Sequence, residues 1–229
     1  MAEVKQERQR NDGDPMLRAR DFWTKNGRIV IIASVAVILI AGGYLGWKYL
    51  IKEPKEQKAA EAIWKAQDYF ERDSIKQALS GDRQFPGFEK ISSEYSGTAS
   101  GNLADYYAGV IALKSGDNNK AVKYLKDFST DAHQVQSRAY KLLGDAYANL
   151  GKNAEALDSY KKAAHEFEAD RQGSAENLYF AAYFADRVMN DKKQAIELYE
   201  ELVKNHGDSQ FKDEAEKYLA QAGVFKTAD

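Results

Sequence analysis

Residues 137–170 read SRAYKLLGDAYANLGKNAEALDSYKKAAHEFEAD, and this stretch decides the fold. Tyr140, Leu143, Gly144 and Tyr147 fall at helical spacing, so they share one face of a first helix. Asn149-Leu150-Gly151-Lys152-Asn153 supplies the turn. Ala156, Tyr160 and Ala163 then face back from a second helix. Gly144 and Ala156 let the two backbones approach closely, and the aromatic rings fill the space around them.

The pattern recurs on both sides. Upstream, Gly109, Ala112, Ala121, Leu125 and Phe128 hold the same places in a unit at about 102–135, with Ser115–Asn119 as its turn. Downstream, Tyr179, Ala182, Ala195, Tyr199 and Leu202 mark a unit at about 176–209. There Tyr183 stands where the glycine should be, which predicts a splayed pair, and Arg171–Ala175 reads as an insertion ahead of it. Phe211, Ala215, Tyr218, Leu219 and Ala222 predict a capping helix over about 208–223. A leading pair precedes the repeats. Its first helix, 60–79, places Ile63, Trp64, Ala66, Tyr69 and Phe70 on an apolar side, and its second runs from Phe88 to Tyr95. The signature positions and their period resemble the tetratricopeptide repeat. The expected fold is all-α, a tetratricopeptide-repeat helical solenoid over 60–229 behind a single N-terminal transmembrane helix.

That helix is expected at 29–49. From Ile29 to Trp47 the chain runs nineteen residues, IVIIASVAVILIAGGYLGW, without a charge. At about 1.5 Å per residue this is close to the thickness of a bilayer core. Arg28 and Lys48 bracket it, and Tyr44, Trp47 and Tyr49 gather where aromatic rings prefer the lipid boundary. Residues 1–28 are polar and of mixed charge, expected as a disordered cytoplasmic tail, and 50–59 as a charged linker. Arg8, Arg10, Arg18, Arg20, Lys25 and Arg28 lie before the span, against Lys48, Lys52, Lys55, Lys58 and Lys65 after it. This small bias, with a short tail before a large domain, favours a tail inside and a domain carried across. Gly42 and Gly46 form a GxxxG, which reads either as a helix-contact face, with a homodimer one outcome, or as ordinary glycine usage in a membrane helix.

The chain has no cysteine, which excludes disulfides, a thiol nucleophile and a zinc–thiolate site. A net charge of -2 gives no electrostatic reason to expect nucleic acid. His133, His165 and His206 lack metal-ligand spacing and read as surface residues near helix ends. No phosphate loop, nucleophile elbow or HExxH occurs. We therefore expect no catalytic residue, no metal and no cofactor, and a protein that is not an enzyme.

In stacked helix pairs the first helices line the concave side. Residues on those helices but off the packing face are Leu103, Tyr106, Val110 and Leu113 in the first unit. Arg138, Lys141, Asp145 and Ala148 follow in the second, and Asn177, Phe180, Phe184 and Arg187 in the third. They read as a partner-binding groove, apolar at both ends and charged in the middle. The other reading is that the leading pair or the cap folds over these side chains and makes them core. Lys141 is followed on its face by Asp145, not asparagine, so the carboxylate clamp of chaperone-binding tetratricopeptide domains is not expected.

The tail, span, linker and repeats, with Phe88-Glu89-Lys90-Ile91 and Tyr95-Ser96-Gly97-Thr98 leading into Ala104 and the Gly109 helix, resemble the YfgM-like family. That resemblance implies a bacterial inner-membrane protein, single-pass, with its C-terminal domain in the periplasm. It further implies an ancillary factor of the Sec translocon whose partners are translocon subunits, a membrane-anchored chaperone or exported clients. Two rival readings stand beside it: a cytosol-facing adaptor, and a structural assembly factor of an envelope complex.

Overall fold

The computed structural model describes residues 15–224 as α-helices joined by turns, with no strand among the described residues. The chain divides into two compact units, residues 1–54 and 55–229, and each is taken by itself.

In the first unit α1 runs Pro15–Trp47 and passes into a π-helical turn, Lys48–Lys52, before α2 begins at Glu53. The expected unstructured tail is thus helical from Pro15, whose fixed φ suits a first turn. The earlier residues, Arg8 and Arg10 among them, lie outside the described residues. The expected linker 50–59 is helical as well, because Pro54 sits in the first turn of α2, where it has no intrahelical bond to lose. None of the apolar window of α1 is buried, and it is long and apolar enough to cross a membrane. A Cβ on Gly42 or Gly46 would meet nothing within 4 Å, so that face is open.

The second unit starts with α2 (Glu53–Glu71), α3 (Ile75–Ser80) and α4 (Phe88–Glu94). The single helix expected over 60–79 breaks at Asp73, which takes a φ of 57° while the Ser74 amide donates to the Tyr69 carbonyl. Ile63, Ala66, Phe88 and Ile91 join Ala104, Ala108 and Ile111 in the first core cluster. Trp64, expected on the apolar side, is 67% exposed instead.

Three helix pairs follow: α5 (Ala99–Lys114) with α6 (Asn118–Asp127), α7 (His133–Asn149) with α8 (Asn153–Glu166), and α9 (Arg171–Arg187) with α10 (Lys192–Asn205). Three starts are set by aspartates that accept from backbone amides: Asp117 from Lys120, Asp170 from Gly173 and Asp191 from Gln194. Each intra-pair turn needs a left-handed residue, and Gly116 (φ 80°), Gly151 (φ 70°) and Asn190 (φ 55°) provide it. Arg171–Ala175 is the opening of α9 and not an inserted link.

The third pair is closed, not splayed. Ala181, Ala182 and Ala185 of α9 pack with Ala195, Leu198 and Tyr199 of α10, while the Tyr183 ring turns outward, 48% exposed. The cap, α11, spans Lys212–Gln221 and seats Ala215 and Leu219 in the same cluster. A smaller middle cluster of Ala112, Ala121, Leu125, Leu143 and Ala146 joins the first pair to the second. His206 departs from its surface reading: it is buried, with Nε2 3.3 Å from Ser174 Oγ, which itself donates to the Ala164 carbonyl.

One carboxylate ties the leading helix to the repeats. Glu56 accepts from the amides of Ala99 (2.7 Å) and Ser100 (3.1 Å) and from the Ser100 hydroxyl. Thr98 Oγ1 accepts from Gly101, so the orphan donors of α5 are met from two places. Beside it Lys55 Nζ donates to the Ser96 carbonyl. Glu56→Ala is expected to cost about 1–2 kcal/mol, read by chemical denaturation, and to speed amide exchange at Ala99 and Ser100.

Candidate partner-binding face

Gly144 positions the centre of the face. A side chain there would overlap the ring of Tyr160 on α8; without one the ring lies directly against the α7 backbone. Its hydroxyl thereby reaches through to donate to Asp145 Oδ1 at 3.0 Å. Asp145 Oδ2 holds Lys141 Nζ at 3.2 Å, and that ammonium stands 4.9 Å from the Phe180 ring centroid. Phe180 in turn meets Tyr160 edge-on at 4.8 Å. Lys141, Asp145 and Phe180, taken from the sequence as separate groove positions, are therefore one assembled group spanning α7 and α9. An ammonium held between a carboxylate and a ring is fixed in place, and the half-buried ring leaves apolar surface for a neighbour.

The other groove positions divide. Tyr106 is half-buried, its ring 5.2 Å from Phe128, and Leu113 packs against the middle cluster. Leu103 packs against the first cluster, where the leading pair contributes Ile63 and Phe88. Val110 is half-buried and Arg138 is exposed. Arg187 is exposed and pairs with Asp186 at 3.0 Å. Phe184 does not belong to the face: it is buried, with Tyr160 5.2 Å away across its ring, because its place on α9 points between α8 and α10. Asn177 is a tie between helices, with Nδ2 reaching the Ala163 carbonyl and Ser137 Oγ, each at 3.3 Å.

Two residues behind the face escape a reading based on which helix faces the groove. Tyr160 lies on a second helix yet sets the carboxylate of the first. Tyr218, on the cap, donates to Asp186 Oδ1 at 2.7 Å and so fixes the neighbour of Arg187. The glycine opposite Tyr160 is the signal that points to the former; no local signal marks the latter.

Burial raises the hydroxyl of Tyr160, with Asp145 adding to it, and burial likewise raises Tyr199. Tyr218 is pushed up to about 12 by burial and its bond to Asp186. The folded chain keeps these protons where an unfolded tyrosine releases them near pH 10. Stability is therefore fully present below about pH 10 and falls above it, by about 1.4 kcal/mol per pH unit for each proton retained. Denaturant melts at pH 8 and pH 11 check this, and Tyr160→Phe should shallow the alkaline loss.

Residues 20–139 match the family described as a tetratricopeptide repeat-like domain, and residues 176–209 match the tetratricopeptide repeat. The first match starts inside α1 and ends within α7, and the second covers most of α9 and all of α10. No curated protein matches the chain. With more than half of its length matched and with these stacked helix pairs, the chain belongs to the tetratricopeptide repeat-like domain family.

Proposed function

We propose that the chain is a membrane-anchored scaffold for protein–protein contacts, serving export of envelope proteins beside the Sec translocon from the periplasmic side of a bacterial inner membrane. The observation that carries the reading is α1, an apolar helix with no buried residue in its central window, in a chain whose other unit is a stack of repeats. Tetratricopeptide repeats bind proteins, and an anchor keeps such a binder beside a membrane machine. The resemblance to the YfgM-like family supports the finer assignment, with translocon subunits, a membrane-anchored chaperone or exported clients as partners. The face of Tyr106, Val110, Lys141, Asp145, Phe180 and Arg187 is where such a partner docks, and Gly42 and Gly46 offer a contact for a second copy in the bilayer.

The test is protease accessibility of the repeats in intact spheroplasts, paired with a photocrosslinker at Val110. Digestion from outside together with crosslinks to translocon or chaperone supports the proposal. Protection until the membrane is broken sinks it in favour of a cytosolic adaptor. Digestion with crosslinks to one fixed envelope complex, and none to secretory chains, favours an assembly factor.

A further inference from the structure

The residues of α1 ahead of its apolar stretch, Pro15–Arg28, are helical. Ala19 and Trp23 share one side at a spacing of four with Arg20 beside Trp23, while Phe22 lies among Arg18, Lys25 and Arg28 at spacings of three and four, so rings and cations are interleaved around the helix. Phe22 and Trp23 are each 56% exposed. Arg18, Arg20, Lys25 and Arg28 meet a single carboxylate in the segment, Asp21, and among the described residues none of the four is in an ion pair. The Trp23 indole is folded along the helix: a Cβ on Gly27 would lie 3.6 Å from its Nε1. At that ordinary contact distance the ring lies over Gly27, one turn C-terminal to its own Cα and so nearer the start of the uncharged stretch at Ile29.

We propose that this segment is a headgroup-binding collar selective for anionic phospholipid, an inference that rests on α1 crossing a bilayer. An indole directed at the start of the apolar stretch sits at the level where acyl chains meet headgroups. Four cations within about three turns of that level face phosphodiester oxygens. A zwitterionic headgroup balances its phosphate with its own ammonium, so a collar with this excess of positive charge favours lipids that carry net negative charge. The collar gives α1 a depth and a lipid preference that a plain apolar helix lacks.

The full chain carrying Trp47→Phe and Trp64→Phe leaves Trp23 as the one tryptophan, since the chain has 3. It is reconstituted into vesicles of phosphatidylcholine and phosphatidylglycerol in which one lipid or the other is brominated, at equal mole fraction. Brominated phosphatidylglycerol should quench Trp23 about twofold more than brominated phosphatidylcholine, with the excess falling in 1 M salt. Arg18→Gln, Lys25→Gln and Arg28→Gln together should erase the difference while quenching by phosphatidylcholine persists. Equal quenching in the starting protein, or a preference that survives the triple substitution, overturns the collar. No quenching by either lipid means α1 is not in the bilayer, and the anchor reading falls with it.

Discussion

Phe88→Ala will destabilise the repeat unit by about 4 kcal/mol, the largest loss we expect from one side chain here. Phe88 is fully buried, stacked on Tyr107 at 4.8 Å and 6.4 Å from Phe70. It is the piece of the leading pair that enters the core of the first repeat, beside Ile91, Ala104 and Ile111. Its removal leaves a void between two rigid helices and strips two aromatic neighbours of a partner. For a unit of this size the melting temperature should fall by roughly 10 °C, followed by circular dichroism. A loss below about 1 kcal/mol would mean that α4 only leans on the solenoid and is not part of it.

Gly144→Val should cost about 3 kcal/mol, by overpacking and not by a lost contact. The new methyl groups would occupy the space of the Tyr160 ring, which is 2% exposed and held by Asp145, Phe180 and Phe184. Gly144→Ala is milder, since alanine regains about 1 kcal/mol of helix propensity. The clash predicts strong coupling: with Tyr160→Ala already present, Gly144→Val should cost far less than it does alone. Additive losses in that double-mutant cycle would show that the glycine is needed for something other than the ring.

The same pair shows what was legible in the sequence. Tyr140, Gly144, Tyr147, Ala156 and Tyr160 encode a helix hairpin because each acts on a neighbour within one unit, where spacing alone fixes geometry. The uncharged stretch 29–47 was readable for the same reason. What failed depended on distant partners. Trp64 and Phe184 both sit at apolar helical spacing, but only the arrival of α8 decides that Phe184 is core, while Trp64 stays largely exposed. His206 is buried through Ser174, thirty-two residues earlier. The break at Asp73 carries neither glycine nor proline, so no punctuation announced it. At the face, charge types were legible, but their assembly through Tyr160 was not, because the hydroxyl comes from a helix on the far side of the pair.

The way the core is partitioned bears on the order in which the chain acquires structure. The buried residues of the first cluster all lie between Ile63 and Tyr124, and those of the largest between Ala156 and Leu219. Neither waits on residues from the opposite end. The chain can therefore consolidate from N- to C-terminus as it is synthesised, each helix pair closing on the one before it. With such an order, at no stage does a completed portion have to reopen to admit a later one.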